Sequence, residues 1–160
     1  MTNSPQVQAI TVPRFGDAEV LRFAGLDTPE PGPGQVSIDV THAGANFAEV
    51  LYRRGVVDVP LPFVPGIEVS GRVRALGPGV DGLRVGQPVA ALTIVDSGGY
   101  AEVVVTSAHL VAPLDEHDLA PDLAAALPSN STTAFLVLDR VARIEPGESV
   151  LVHAAAGGVG

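Results

Sequence analysis

The sequence predicts a mainly β fold with short helices: a barrel-like domain followed by the first strand of a separate, doubly wound α/β unit. Three observations point there. Short runs of β-branched and aliphatic residues recur along most of the chain, each cut off by Gly or Pro. The 18 Gly and 14 Pro accompany a hydrophobic content of 46%, which suits tight turns between strands better than disorder. Past Asp115 the pattern shifts to Ala- and Leu-rich segments with apolar residues three to four apart, and then to one more strand.

Taken in order, strands are expected at Val7–Thr11, Val20–Ala24 and Val36–His42. The last should carry Val36, Ile38 and Val40 on one face and Ser37, Asp39 and Thr41 on the other. Between them lies Thr28–Gly34, TPEPGPG, whose prolines fix φ and lack an N–H donor, so it reads as an ordered surface connection. A short helix is expected over Asn46–Arg53: Asn46 can cap it, Gly55 follows it, and Phe47, Val50 and Leu51 fall at helical spacing. Further strands are expected at Glu68–Leu76, Pro88–Leu92, Tyr100–Thr106 and His109–Ala112. Gly77-Pro78-Gly79, Gly82, Gly86 and Ser97-Gly98-Gly99 separate them. LAPDLAAALP and then TTAFLVLDRVARIEPGE read as helical, with Ala134, Leu138 and Val141 on one stripe. Pro146-Gly147 should end that helix and turn the chain into a strand over Ser149–His153. The expected division is a first domain over 1–127, with a linking helix and the start of a second domain over 128–160.

Charge and composition exclude several classes of function. Net charge is −9 and all nine basic residues are Arg, scattered apart from Arg53-Arg54, so a polyanion would be repelled and nucleic-acid binding is set aside. Without Cys there is no disulfide, thiolate zinc site or thiol nucleophile. Apolar runs are cut well short of a membrane span, and the N-terminus has neither a basic start nor an unbroken apolar stretch, so a cytoplasmic location without a membrane partner is expected.

Ser149–Gly160, SVLVHAAAGGVG, is an apolar run breaking into small residues. In a dinucleotide-binding turn the small positions allow a tight bend, close approach of backbone to pyrophosphate, and close helix–strand packing; here they fall at Ala155, Gly157 and Gly160. Taken alone, the pattern is equally a glycine-rich loop. Together with PEPGPGQVSIDVTHAGANFAEVLYRRG, PFVPGIEVSGRVRALGPGV, GGYAEVVV and PGESVLVHAAAGGVG, it resembles the medium-chain dehydrogenase/reductase superfamily, and within it the zinc-free, zeta-crystallin-like quinone oxidoreductases. The resemblance implies a GroES-like β-barrel catalytic domain, a Rossmann-type domain holding NADPH, and hydride transfer to a quinone or an activated carbon–carbon double bond. Because the sequence stops at Gly160, the expectation is an incomplete cofactor domain. The chain alone is then expected to be inactive, to bind NADPH weakly or not at all, and to associate with a second copy or a complementing C-terminal fragment. Zinc-dependent relatives place Cys and His after the strand ending near Ala43, and Gly-His-Glu at the later motif. Asn46-Phe47 and Gly66-Ile67-Glu68 stand there instead, so no metal is expected. His42, His109, His117 and His153 show no ligand spacing and read as structural.

The resemblance implies that Asn46 is a donor beside the nicotinamide, a role that coexists with helix capping. Arg53 matches a recurrent Arg that could favour a developing oxygen anion; a solvated charge or a partner for Glu49 is the plainer reading. Tyr52 could return a proton, but many relatives carry Tyr where Leu51 stands, about a quarter turn away on a helix. Thr133, Ala155, Gly157, Gly158 and Gly160 join Asn46 as implied cofactor-binding residues, with a helix-start hydroxyl as the alternative for Thr133. Phe47, Phe63 and Tyr100 are candidates for lining an apolar substrate pocket, or else core. Pro65-Gly66 shapes the loop carrying Glu68, itself expected to be structural and hydrogen-bonded near the cleft. Two other readings stay open: an enoyl reductase of the same superfamily, and a non-catalytic GroES-like module or half of a split enzyme.

Overall fold

In the computed structural model, which describes residues 6–96, 98–114 and 119–160, seven strands among the described residues form two antiparallel sheets. A hairpin pairs β1 (Gln6–Thr11) with β2 (Arg22–Asp27), Val7 opposite Leu26 and Ile10 opposite Phe23. The larger sheet contains β3 (Gln35–Ala43), β4 (Glu68–Leu76), β5 (Pro88–Leu92), β6 (Val103–Ser107) and β7 (Val111–Pro113), in the order β6-β3-β4-β5-β7. The hairpin is laced to the rest by Val12 and Phe63, which exchange backbone hydrogen bonds at 2.8 and 3.2 Å, and by Ile10 N–H donating to the Tyr100 carbonyl at 2.8 Å. The core sits under the larger sheet, where Val36, Ile38, Val69, Val73, Val89, Ala91 and Val104 meet. Each of the buried Val and Ile side chains contributes about 1.5–3 kcal/mol relative to exposure.

Several expected elements shift for identifiable reasons. β2 starts at Arg22 because Val20 is drawn, fully buried, into a 3-10 turn at Ala18–Val20. In β3 the register slips between Ser37 and Ile38 and again between Val40 and His42. Irregular pairing breaks strict alternation, so Ser37 is buried beside Val36 and Ile38, and among the described residues its hydroxyl has no hydrogen-bond partner. Tyr100 lies outside β6 because its N–H turns to the Pro65 carbonyl, at 2.8 Å. His109 belongs to a 3-10 turn, Ala108–Leu110, ahead of β7. Ser97, Asp115 and His117 lie outside the described residues.

Beyond the sheets, α2 (Pro121–Ala125) packs on β4 and β3 through Ala124 and Ala125, and the Ser70 hydroxyl donates to the Pro121 carbonyl at 2.5 Å. The single helix expected from Thr132 onward does not form. A widened π-type turn, Leu127–Ser131, leads into α3 (Thr132–Phe135), then a second π-type stretch, Leu136–Ala142. Arg143 ends it in the left-handed region at φ 53, ahead of Pro146-Gly147. Leu138 and Val141 are exposed, and a helix draws most of its stability from whatever its apolar stripe packs against. The expected strand Ser149–His153 is likewise absent, since among the described residues nothing pairs with it and a strand exists only through its ladder.

Candidate functional site

The chain leaves β3 at Ala43 and turns through Gly44-Ala45 into the helix α1 (Phe47–Arg53). Asn46 caps this helix with an extended backbone, φ −117 and ψ 157, in a capping box with Glu49. One Glu49 carboxylate oxygen accepts the Asn46 backbone N–H at 2.8 Å and the other accepts the Ile67 N–H at 3.2 Å. A single acidic side chain thus holds the start of α1 against the approach to β4.

Glu68, the first residue of β4, is 1% exposed. Its Oε1 accepts from Asn46 Nδ2 at 2.8 Å, and its Oε2 accepts the backbone N–H of Ser129, also at 2.8 Å. Gly44 makes room for this carboxylate, because a Cβ there would collide with it. Gly66 has φ +102, and the Gly99 and Tyr100 backbones press against the place where a Cβ would stand. The Gly99 N–H donates to the Gly66 carbonyl at 3.0 Å. So the Pro65-Gly66 loop shapes the approach of Glu68, and Glu68 is hydrogen-bonded in the interior.

Two titratable groups are displaced. Burial pushes the Glu49 carboxyl above its ordinary value; hydrogen bonds from its own N–H and those of Asn46 and Ile67 pull it partly back, and the Glu68 carboxylate adds to the upward push. Burial, followed by the Glu49 and Glu68 carboxylates, pushes the Tyr100 phenol up to about 12, so it remains a neutral donor.

At the other end of α1, Arg53 and Gly16 are reciprocally bound. Arg53 Nη1 donates to the Gly16 carbonyl at 2.8 Å, and the Gly16 N–H donates to the Arg53 carbonyl at 3.0 Å. Arg54 Nε lies 2.8 Å from Asp17 Oδ1. Arg53 is therefore directed at backbone, while Glu49 points to the opposite end of the helix.

A cavity of about 610 Å³ opens beside α1, walled chiefly by Val57, Val59, Phe63, Ile94, Val103 and Val104. Tyr52 and Phe63 are on its wall; Phe47, 71% exposed, and Tyr100 are not. Asp27 and Asp96 contribute carboxylates to the wall, and among the described residues no basic side chain lines it.

The remaining candidates lie towards the C-terminus. Thr133 is exposed on α3. The turn containing Ala155, Gly157, Gly158 and Gly160 folds back through a Gly157 N–H bond to the Ala154 carbonyl at 2.7 Å, with Ala154 at φ 52. Gly158 lies so close to Asn130 that a Cβ would come 2.8 Å from its Nδ2. Since Asn130 follows Ser129, physical contact runs from Asn46 through Glu68 and Ser129 to the glycine turn. Among the described residues no three His, Asp or Glu side chains converge as metal ligands; His42, His109 and His153 are exposed on separate segments. No helix among the described residues is long and apolar enough to cross a membrane.

Residues 32–116 match the family model for the alcohol dehydrogenase GroES-like domain. The chain belongs to that family. This GroES-like chain is 39% identical, over 160 residues, to the mouse synaptic vesicle membrane protein VAT-1 homolog-like, covering 99% of the chain and 38% of the mouse protein. It is 33% identical over 152 residues to a probable quinone oxidoreductase of Schizosaccharomyces pombe, covering 94% of the chain and 45% of that protein. A solved mycobacterial structure complexed with NADPH superposes with a TM-score of 0.88 at 37% identity, covering 96% of this chain and 47% of that one. The chain thus spans less than half the length of these relatives. These similarities place it in the medium-chain dehydrogenase/reductase superfamily, which includes quinone oxidoreductases.

Two residues of the site escape a reading of the sequence. Glu49 carries a local signal, the Asn-x-x-Glu spacing of a capping box, which identifies its partner as the Asn46 backbone and not Arg53. Ser129 carries none, because it takes part only through a backbone N–H brought 61 positions along the chain to Glu68.

Proposed function

We propose that this chain is the catalytic portion of an NADPH-dependent oxidoreductase that reduces a quinone or an activated carbon–carbon double bond without zinc. The observation that carries this reading is the continuity from the Asn46 amide through Glu68 and Ser129 to Asn130 and Gly158. A nicotinamide at Asn46 and a pyrophosphate at the glycine turn then belong to one groove. When bound, NADPH supplies the hydride. Asn46 orients the nicotinamide through its side-chain amide. Ala155, Gly157, Gly158 and Gly160 let backbone approach the pyrophosphate closely, with Thr133 alongside.

The cavity beside Tyr52 and Phe63 receives the acceptor. Its largely apolar wall suits a flat apolar acceptor. Tyr52 or water supplies the proton that balances the hydride, and the Arg53–Gly16 bonds hold the helix that carries Tyr52. Ile67 and Asn46 offer no ligand set for zinc, and Glu68 is already committed to two donors.

Steady-state NADPH oxidation by the chain joined to a complete cofactor domain, with 1,4-benzoquinone or an enoyl thioester as acceptor, tests the reading; the 160-residue chain alone is expected to stay inactive. Expected are turnover with the quinone, indifference to a chelator, and a fall of about tenfold or more in NADPH affinity on Asn46→Ala, equivalent to one lost hydrogen bond of about 1.4 kcal/mol. Preference for the thioester would move the reading to enoyl reduction; loss of activity on chelation would reject zinc independence.

A further inference from the structure

We infer that Glu68 is a positioning residue that sets which end of the Asn46 amide faces a ligand, and that only a carboxylate can do so while also holding Ser129. Both partners of Glu68 are donors, Asn46 Nδ2 on one oxygen and the Ser129 N–H on the other, each at 2.8 Å. A side chain buried at this point must therefore offer two acceptors. A carboxylate does; an amide offers one acceptor and one donor group. The site is also closed to rearrangement. Gly44 leaves no spare volume beside the carboxylate, and Glu68 is 1% exposed, so water is not at hand to replace a missing acceptor.

The consequence concerns polarity. With Nδ2 drawn inward to Glu68, the Asn46 amide has a fixed sense. If Glu68 became Gln, the least costly arrangement keeps the new carbonyl on the Ser129 N–H and presents the new NH2 to Asn46. Asn46 must then turn its amide over, accepting with Oδ1 and directing Nδ2 away. The change keeps the Ser129 bond and the bond between positions 46 and 68, gives up the capping contact of the Asn46 side chain with the Glu49 N–H, and reverses the face offered to a bound nicotinamide. The same carboxylate joins the cap of α1 to the segment leading to the glycine turn, so the two parts of the proposed groove are set by one residue. The ligand half of this inference rests on the proposed nucleotide site; the orientation half does not.

The test compares the full chain with Glu68→Gln, by NMR of the Asn46 side-chain amide and the Ser129 backbone amide alongside NADPH titration. Expected in the parent chain are slow exchange at both groups. Expected in Glu68→Gln are fast-exchanging Asn46 Nδ2 protons, a Ser129 amide still protected, and NADPH affinity lowered about tenfold. Unchanged Asn46 resonances would overturn the inference. Should Glu68→Gln fold poorly, Asn46→Asp combined with Glu68→Gln restores a matched acceptor and donor: recovered Ser129 protection without recovered NADPH affinity supports the inference, and failure to recover protection overturns it. The NADPH titrations use parent and Glu68→Gln chains joined to a complete cofactor domain; if the amides respond as expected while neither of these binds NADPH, orientation by Glu68 stands and the nucleotide reading fails.

Discussion

The sheets and the C-terminal stretch of this chain are built from similar residues and reach different ends. Val36, Ile38, Val69 and Val89 are fully buried in the core, whereas no residue after Ala125 is buried. Leu138, Val141, Val150 and Leu151 are as apolar as anything in β3 or β4, and all are exposed. Periodicity becomes regular structure only where an opposing surface takes up the apolar face. β4 has β3, β5 and α2 against it, and it forms over the residues its pattern marks out; among the described residues Ser149–His153 has no such neighbour and is irregular.

The largest contrast should come from truncating apolar side chains. Ile38→Ala is expected to lower unfolding free energy by about 3–4 kcal/mol, and Val141→Ala by no more than about 0.5 kcal/mol, read from urea midpoints; comparable losses would erase the distinction between the regions. Glycines with positive φ extend it. Gly66→Ala combines a strained φ with backbone on the site of the new methyl and should cost about 2–3 kcal/mol. Gly147→Ala, at φ +94 in open space, carries only the backbone strain of about 1 kcal/mol.

Arginines give a smaller pair. Arg53→Ala removes a guanidinium bound to the Gly16 carbonyl and should cost about 1–2 kcal/mol. The exposed Arg140, paired with its neighbour Asp139, should be replaceable within about 0.5 kcal/mol. The subtlest effect is a pH dependence confined to the β region. Folding raises the Tyr100 pKa from 10.0 to about 12, so the folded state holds this proton more tightly. The associated stability is present below pH 10.0 and lost as pH climbs through about 12. Absorbance titration of Tyr52→Phe should show the Tyr100 phenolate forming near pH 12, and Tyr100→Phe should remove that stability loss.

Elements specified by adjacent residues were legible in the sequence. β4 and β5 carry the anticipated bounds, and α1 begins at its Asn cap. What escaped depends on distant partners. The bulges in β3 arise from pairing with β4, the capture of Val20 from a buried turn, and the π-type stretches from an apolar stripe left uncovered. The site divides in the same way. Asn46 and the glycine turn are visible as local motifs, and Glu68 is expected from the sequence to be structural and hydrogen-bonded near the cleft. The bond from Ser129 that connects these parts crosses from α2's trailing segment to β4 and leaves no local trace.

The Ser37 hydroxyl remains a feature of the interior with its own consequence. Among the described residues no group accepts from it or donates to it, and a buried hydroxyl left in that state costs about 1–3 kcal/mol. Ser37→Ala would recover that reserve without moving β3, since an alanine methyl fills nearly the same space. A protein strengthened in this way could absorb costlier changes around Asn46 and Glu68, making it the natural parent for redesigning the proposed groove.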